Sequence, residues 1–408
     1  MNEMQMRMIQ HQIKRVLGKS TFYQEKFAGI AAEDIKDQAD FEKLPFSSKE
    51  DLRNAYPLGL QAVDEKDIVR IHSSSGTTGM PVIIPYTQRD IDDWALMFRR
   101  CYEVAGITNL DRIQITPGYG LWTAGIGFQT GAELLGAMVV PMGPGNTEKQ
   151  IQMMLDLQTT VLCSTSSYAL FLAEEIKTLG LGNRIALKKG VIGSERWGKK
   201  MRERIASELH ISLYDIYGLT EIYGPGISIS CDQNCGLHYW DDYLYLEVID
   251  PDTEKVLPQG EEGELVITTL KKEGAPLLRY RTRDITRLIQ GECPCGLKYP
   301  RHDVIVGRTD DMTKVKGVNI YPGQIDEALK EIQGVSSEYQ VIVDRKDRRD
   351  FVLLRFELEN GASPEALEAQ VKRFFKSKIG LSIEAEAVPL GSLPRSEKKS
   401  KRIFDNRI

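Results

Sequence analysis

The stretch Ser73-Ser74-Ser75-Gly76-Thr77-Thr78-Gly79-Met80-Pro81 places hydroxyls and glycines between two apolar segments, Ile68–Ile71 and Val82–Ile84. This order predicts a strand, a loop and a second strand. The two glycines let the backbone approach a ligand closely, and the serine and threonine side chains offer hydroxyl donors, which suits a phosphate group. Because Met80 rather than lysine follows the second glycine, the loop departs from the nucleotide-binding pattern of kinases and motor proteins.

The bulk composition is that of a globular protein with more than one domain. The chain has 408 residues, of which 41% are hydrophobic and 27% are charged, and its formal net charge is -5. Domains are typically about 100 to 200 residues long. The acidic balance argues against a general nucleic-acid binder. No apolar run of about 18 residues and no signal-peptide pattern occurs, which predicts a cytoplasmic protein without a membrane partner. A homodimer is left open.

Strand and helix patterns alternate along most of the chain. The apolar segments Ile113–Thr116, Met138–Pro141 and Val161–Cys163 are each followed by residues of helical periodicity or by a glycine-rich stretch. Alternation of this kind predicts an α/β fold with a largely parallel sheet. We place a domain boundary between residues 1–307, a large N-terminal α/β domain, and residues 308–408, a small α/β C-terminal domain.

The N-terminal region shows a packing pattern to which we assign no chemistry. Apolar residues at helical spacing predict a helix over Met4–Phe27. A second helix is predicted to begin at Ser47, whose side chain could cap it, with Glu50 completing a capping box three positions later.

The segment from Pro117 to Phe128 follows a predicted strand and is rich in glycine and aromatic residues. Glycine lets a flat apolar ligand come close, and tyrosine or tryptophan can stack on it, so this segment is predicted to form a substrate pocket. The alternative is a glycine-rich helix start packed against a sheet. The pocket residues that we predict are Tyr119, Gly120, Ala124 and Phe128.

Two later strand ends carry residues suited to a nucleotide. Gly193-Ser194-Glu195 ends one strand, and Leu213–Tyr217 opens into Gly218-Leu219-Thr220-Glu221. Tyr217 offers a stacking face, Asp215 an acceptor for an exocyclic amine, and Glu221 a hard oxygen ligand for Mg²⁺.

Four motifs occur in a fixed order: Ser-Ser-Gly-Thr-Thr-Gly at 74–79, Tyr-Gly-Leu-Thr-Glu at 217–221, Tyr-Arg-Thr-Arg-Asp at 280–284 and Gly-Arg-Thr-Asp-Asp at 307–311. Together they resemble the adenylate-forming acyl-CoA ligase superfamily. Further strings resemble its phenylacetate-CoA ligase branch, namely Arg70–His72, Tyr119–Leu121, Ile216–Gly226, Gly236–His238 and Pro394–Glu397. The resemblance spans nearly the whole chain.

The resemblance implies an AMP-forming ligase of aromatic acid catabolism that joins an aryl or phenylacetate-type acid to CoA through an acyl-adenylate, using ATP and Mg²⁺. Its catalytic residues would be Thr220, Glu221 and Lys399, with Glu221 also holding magnesium. The phosphate loop would be Ser74, Ser75, Gly76, Thr77, Thr78 and Gly79. Residues framing the adenine would be Gly193, Ser194, Glu195, Asp215 and Tyr217. Asp284 would accept from the ribose hydroxyls, and Arg308 would also lie at the nucleotide.

The resemblance also assigns roles in the small, mobile C-terminal domain. Asp310 would be the hinge, and Gly317 would sit where the CoA thiol enters. The tail from Pro394 to Arg402 is basic, and as a bare charge run it would be read as solvated. By its spacing Lys399 matches the family's adenylation lysine, but Lys398 stands where the family commonly has glycine, so the register between the two lysines is open.

Five thiol or imidazole side chains fall in two clusters, Cys231/Cys235/His238 and Cys293/Cys295. Thiolates and one imidazole in two turn-held groups are typical of a structural Zn²⁺ site of Cys₃His type. We choose Cys231, His238, Cys293 and Cys295, since Cys235 lacks a clear counterpart in the branch; Cys235 in place of Cys231 stays open. The alternative is reduced thiols in two surface loops.

Two other functions compete with CoA ligation. One is an adenylating enzyme of the same fold that passes its product to another acceptor, such as a carrier protein or a deazaflavin cofactor. The other is a non-catalytic, zinc-stabilised binding protein whose basic tail docks on an acidic partner.

Overall fold

The computed structural model describes residues 1–74, 80–195, 197–310, 313–315, 318–320, 322–346, 349–359, 361–394 and 402–407. These residues contain eleven α-helices: α1 Glu3–Lys19, α2 Thr21–Lys26, α3 Gln38–Phe41, α4 Lys49–Asn54, α5 Gln88–Val104, α6 Ala124–Leu135, α7 Thr147–Leu157, α8 Ser166–Thr178, α9 Lys199–Leu209, α10 Pro322–Lys330 and α11 Pro364–Lys378. Short 3₁₀ turns lie at Ala32–Asp34, Glu65–Asp67 and Gly182–Arg184.

The strands of the same residues are β1 Arg70–Ser73, β2 Ile83–Tyr86, β3 Arg112–Ile115, β4 Met138–Pro141, β5 Val161–Thr165, β6 Lys189–Gly193, β7 Ser212–Leu219, β8 Gly224–Ser230, β9 Leu237–Tyr239, β10 Leu244–Ile249, β11 Gly263–Thr269, β12 Tyr280–Thr286, β13 Leu288–Ile289, β14 Arg301–His302, β15 Gly307–Arg308, β16 Thr313–Val315, β17 Val318–Ile320, β18 Val335–Lys346, β19 Arg349–Leu358, β20 Glu384–Val388 and β21 Ile403–Asp405.

The predicted start of α4 is wrong by one residue. Ser48, not Ser47, caps the helix, and Asp51 closes the capping box. Ser47 is buried and joins another part of the chain, because its Oγ donates to the carbonyl oxygen of Leu278 at 3.0 Å. Because the Ser47 hydroxyl is bonded to Leu278, it does not cap α4.

The predicted N-terminal helix is divided in two. Ser20 has extended backbone, with φ -86° and ψ 116°, so it ends α1 and caps α2 through the N–H of Tyr23. The buried faces of both helices contribute to one hydrophobic cluster, which includes Ile9, Ile13 and Tyr23. The region therefore packs as predicted but turns at a serine cap.

One compact unit comprises Met1–Pro144, Thr159–Cys163 and Tyr214–Val304. In it, β3 pairs in parallel with β4 and β5, as the strand and helix alternation predicted. Antiparallel pairing joins β7 to β8, β8 to β9 and β9 to β14, so the prediction of a largely parallel sheet is wrong for this part of the sheet. A separate antiparallel sheet contains β10, β11 and β12.

The other compact unit comprises Gly145–Gln158, Ser164–Leu213 and Ile305–Ile408. Its last hundred residues form a four-stranded sheet in the order β20-β19-β18-β21, in which β18 and β19 make a long antiparallel hairpin. Helices α10 and α11 contribute to its hydrophobic core, for example through Ile325 and Val371. The boundary after residue 307 stays a prediction. Among the described residues, no helix combines the length and apolarity needed to cross a bilayer.

Candidate active site

Ser74, at the start of the serine- and threonine-rich stretch, is hydrogen-bonded to Val82, which follows that stretch. The N–H of Ser74 donates to the carbonyl oxygen of Val82 at 3.0 Å, and its Oγ accepts from the N–H of Val82 at 3.0 Å. The flanking strands β1 and β2 pair antiparallel, which confirms the two predicted strands. The remaining predicted phosphate-loop residues lie outside the described residues: Ser75, Gly76, Thr77, Thr78 and Gly79.

The turn after β7 holds Thr220 and Glu221. The Glu221 side chain is buried, with the residue 4% exposed, and its Oε1 lies 3.1 Å from Nζ of Lys49. No described residue donates a well-directed hydrogen bond to that oxygen. The hydroxyl of Thr220 lies 3.3 Å from that of Thr123. A buried carboxylate needs a compensating positive charge, which Lys49 supplies in part, so this oxygen is suited to a cation.

Glycine is required where β7 meets β8. A Cβ on Gly218 would lie 2.1 Å from the carbonyl oxygen of Gly224, so the two strands can approach this closely only without a side chain. The pairing shifts register at this point. Two residues before the predicted stacking tyrosine, the N–H of Asp215 donates to Oγ of Ser230 at 2.8 Å.

Tyr217 and Asp284 come together from distant strands. The hydroxyl of Tyr217 donates to Oδ2 of Asp284 at 2.6 Å, and Asp284 is 7% exposed. The ring of Tyr217 also meets that of His302 edge to face, with the centroids 5.4 Å apart. The sequence motifs predicted both partners of the hydrogen bond but not the contact between them.

The imidazole of His302 packs against the ring of Tyr217, and the sequence analysis did not predict this contact. Burial lowers the pKa of His302 to about 4, so its imidazole is neutral. Its Nδ1–H donates to the carbonyl oxygen of Asp303 at 2.7 Å, which leaves Nε2 to accept from the hydroxyl of Ser228 at 2.7 Å. The sequence gives no signal for this role of His302. Its strand, β14, has only two residues, which is too short to show an alternating pattern.

Gly193 ends β6 in the second unit, and Ser194 and Glu195 follow it. Ser194 has a left-handed backbone with φ +68°. The carboxylate of Glu195 accepts from the Oγ of Ser166 at 2.9 Å and from the N–H of Ser167 at 3.0 Å, and so binds the first turn of α8. This carboxylate therefore has a structural role in addition to the adenine contact that was predicted.

The predicted pocket segment is partly a helix start, as the alternative interpretation held. Helix α6 begins at Ala124, and Gly120 has φ +91°. Phe128 is 1% exposed and packs on Phe98, with the ring centroids 4.9 Å apart. The hydroxyl of Tyr119 is buried without a hydrogen-bond partner among the described residues. Burial raises the pKa of Tyr119. A ligand that accepts a hydrogen bond could pair with this hydroxyl.

His72 joins β1 to the same segment. Its Nδ1 donates to the carbonyl oxygen of Leu121 at 3.1 Å, and the N–H of Ser73 donates to the same oxygen at 2.9 Å. Burial lowers the pKa of His72 to about 4. The rings of Tyr86 and Trp94 meet its imidazole edge to face. Through His72 and Ser73, the end of β1 is joined to the segment that contains Leu121.

Arg308 and Asp310 form a bidentate ion pair next to the predicted domain boundary. The distances are 2.8 Å from Nε to Oδ1 and 2.9 Å from Nη2 to Oδ2. Gly317, Lys398 and Lys399, to which the resemblance assigns CoA entry and adenylation, lie outside the described residues.

The structure brings Cys231, His238, Cys293 and Cys295 together, with their ligand atoms all within 4.8 Å of one another. His238 lies on β9, and the Nδ1–H of its ring donates to the carbonyl oxygen of Tyr299 at 2.9 Å. This hydrogen bond orients the ring so that Nε2 is directed toward Sγ of Cys295, 3.4 Å away. A ring fixed in this way is typical of a histidine that ligates a metal.

Cys235 lies at the border of this cluster. Its Sγ is 3.1 Å from Sγ of Cys293 and 3.1 Å from Nη1 of Arg301, which donates to it. The ligand atoms of the other three clustered cysteines and His238 lie within 4.8 Å of one another, and Cys235 is not part of that group. The geometry favours the set that the sequence predicted.

Comparison with known proteins identifies the class. The chain matches the AMP-binding enzyme family over residues 2–270 and the AMP-binding enzyme C-terminal domain over residues 317–407. The chain therefore belongs to the AMP-binding enzyme family.

Within this family the chain is similar to phenylacetate-coenzyme A ligases. The enzyme of Escherichia coli (strain K12) is 40% identical over 406 residues, covering 97% of this chain and 92% of that enzyme. That of Thermus thermophilus is 38% identical over 401 residues, covering 93% of this chain and 90% of that enzyme. These matches confirm the branch that the motifs predicted.

Solved structures agree with the predicted fold. A 2-hydroxyisobutyryl-CoA ligase in the postadenylation state with 2-HIB-AMP has a TM-score of 0.89 at 28% identity, covering 99% of this chain and 89% of that chain. The same ligase with 2-HIB-AMP and CoA in the thioesterfication state has a TM-score of 0.72 at 28% identity, with the same coverage. The α/β fold with a large N-terminal and a small C-terminal domain is confirmed.

Proposed function

We propose that this chain is an ATP-dependent acid:CoA ligase that acts on a phenylacetate-type aromatic acid. A carboxylate oxygen of the acid attacks the α-phosphorus of ATP, and pyrophosphate leaves. The CoA thiol then attacks the acyl carbon of the acyl-adenylate, and AMP leaves. The observation that carries the proposal is the pairing of two family-motif residues, Tyr217 and Asp284, by a 2.6 Å hydrogen bond.

In this proposal Asp284 binds the ribose. A carboxylate has two acceptor oxygens and so can accept from both ribose hydroxyls. The hydroxyl of Tyr217 donates to Oδ2 and holds the carboxylate in place, while its ring is fixed by His302. A rigid tyrosine ring beside the ribose site also offers a stacking face for the base.

The first step joins two anions, so positive charge must be supplied near the phosphates. We propose that Lys399 supplies part of it, and that Mg²⁺ held by Glu221 supplies the rest. Glu221 fits a magnesium ligand because its carboxylate is buried and its Oε1, 3.1 Å from the ammonium of Lys49, makes no well-directed hydrogen bond with a described residue. When bound, Mg²⁺ would neutralise phosphate charge. Thr220, whose hydroxyl lies beside that of Thr123, would contact the phosphates.

We propose further that Cys231, His238, Cys293 and Cys295 hold a structural Zn²⁺. The donor set suits zinc in a closed, four-ligand site. Such a site would tie β9, through His238, to the segment of Cys293 and Cys295 that precedes β14, the strand with which β9 pairs. Since β14 also carries His302, the metal would stabilise the support of Tyr217 without contacting the nucleotide.

The function is tested by incubating the purified chain with ATP, Mg²⁺ and a panel of carboxylic acids. We expect pyrophosphate release with arylacetic acids, and discharge of the acyl-adenylate by free CoA. An adenylate that forms but is not discharged by CoA would favour a carrier protein or a deazaflavin acceptor instead. Absence of pyrophosphate release with every acid would contradict ligase activity and favour the zinc-stabilised binding protein.

Elemental analysis of the purified protein is expected to find about one zinc per chain. Cys293→Ser should lose the metal and lower the melting temperature by roughly 5 °C or more, because metal binding contributes to folding free energy. The same substitution at the bordering thiol, Cys235→Ser, is the matched control and should keep the zinc. Retained zinc in Cys293→Ser, or its loss in Cys235→Ser but not in Cys231→Ser, would show that the ligand set is wrong.

A further inference from the structure

Lys272 is a buried lysine that belongs to none of the sequence motifs. It is 0% exposed and lies between β11 and β12. Its Nζ donates to the carbonyl oxygen of Ile222 and lies 4.4 Å and 4.8 Å from the ring centroids of Tyr86 and Tyr223. Burying an ammonium group costs free energy unless nearby groups compensate it. A lysine retained in such a place needs an explanation.

Two carboxylates provide the compensation. Burial lowers the pKa of Lys272 to about 7, and the charges of Asp90 and Glu221 oppose this shift. Asp90 is also 0% exposed, and its oxygens accept from the N–H groups of Glu273 at 2.7 Å and Gly274 at 2.8 Å. The backbone that follows Lys272 is therefore fixed to α5, which carries Asp90.

The backbone of Lys272 itself is fixed from the other side. The side-chain amide of Gln12, on α1, donates to the carbonyl oxygen of Lys272 at 2.8 Å, and Gln12 is 1% exposed. Lys272 is thus held by α1 and α5, and its ammonium group reaches the residue that follows Glu221. Ile222 is 0% exposed, so its carbonyl oxygen has no access to water as an alternative partner.

We infer that Lys272 is a positioning residue for the adenylation step. It fixes the turn that carries Thr220 and Glu221 by donating to the carbonyl oxygen of Ile222, and it offsets the charge of Glu221 from the interior of the protein. Lys49 reaches the same carboxylate from its more exposed side, at 3.1 Å. The inference rests on the proposed function, in which Glu221 holds Mg²⁺ and faces the phosphates.

The test compares two half-reactions in Lys272→Met, which removes the charge and the donor but keeps an unbranched side chain only one atom shorter. Pyrophosphate release should fall about 10- to 100-fold, since a small displacement of a reacting group has effects of this size. The Mg²⁺ concentration for half-maximal release should rise. The thioester half-reaction, started from synthetic acyl-adenylate and CoA, should stay within about twofold of wild type, because the pyrophosphate has already left.

Lys271→Met is the matched control. The adjacent Lys271 is partly exposed, pairs with Asp242 at 3.2 Å and lies 3.9 Å from the ring centroid of Tyr243, so it does not contact the turn at Glu221. Its replacement should leave both half-reactions unchanged. If Lys272→Met does not fold, Lys272→Gln retains a donor for the carbonyl and should show the same selective defect to a smaller extent.

Equal losses in both half-reactions, wild-type rates in both, or failure of both Lys272 variants to fold would each overturn the inference. The first and last of these outcomes would make Lys272 a purely structural residue. A wild-type protein that releases no pyrophosphate with any acid would instead reject the proposed function, so the two failures are distinguishable.

Discussion

Glu221→Gln is expected to slow pyrophosphate release by a factor on the order of 10² to 10³, because a neutral amide is a poor ligand for a hard dication and supplies no charge. The substitution keeps the shape of a side chain that is 4% exposed, so the fold should be retained. The rate is measured with saturating ATP over a range of Mg²⁺ concentrations. Excess Mg²⁺ should recover part of the loss if the carboxylate acts as a metal ligand.

Glu261→Gln is the matched control for this prediction. Glu261 is exposed in the turn before β11, and its amide should give wild-type rates. In Glu221→Gln, Lys49 and Lys272 would lose a compensating negative charge, which could lower stability. A melting curve of the variant therefore separates a loss of activity from a loss of folding. Wild-type pyrophosphate release by the folded variant would contradict the assignment of Glu221.

The elements that the sequence predicts well are those whose signal is local. Helix α5 is an example, because Thr87 and Asp90 form a capping box directly before the apolar positions Trp94 and Phe98. Helix α7, Thr147–Leu157, follows β4, as the helical periodicity after the apolar segment Met138–Pro141 predicts. Local periodicity and a cap are sufficient to define such a helix.

The errors and omissions come from contacts that are distant along the chain. Ser47 has the composition of a cap, but its hydroxyl is bonded to Leu278, so Ser48 caps α4 instead. His302 and Lys272 were not predicted because their roles depend on residues in other strands and helices. A lone lysine or histidine in a sequence does not indicate which segment will cover it.

The cysteine and histidine cluster was predicted only in part from local sequence. Spacing within each cysteine group suggested zinc, and the choice of Cys231 over Cys235 depended on the family resemblance. The structure adds a geometric reason, since the ligand atoms of Cys231, His238, Cys293 and Cys295 lie within 4.8 Å of one another. Cys231 and Cys293 are 62 positions apart in the sequence, so their proximity could not be read from either turn alone.

Lys399→Ala is expected to reduce formation of the acyl-adenylate by a factor on the order of 10² to 10³, because removing one positioned charge from a dehydrated site has effects of this size. The resemblance assigns Lys399 to adenylation only, before the proposed turn of the C-terminal domain about Asp310. The thioester half-reaction from synthetic acyl-adenylate and CoA should therefore be nearly unchanged. Rapid-quench measurement of each half-reaction gives the two rates separately.

Lys398→Ala serves as the control, because it removes the same charge from the adjacent position of the tail. A small effect in Lys398→Ala beside a large, selective effect in Lys399→Ala would support the register that we propose. A larger adenylation defect in Lys398→Ala would show that the register is wrong by one residue. If both variants impaired both half-reactions equally, the basic tail would act in folding or docking, and a lysine that works only in the first step would have no support.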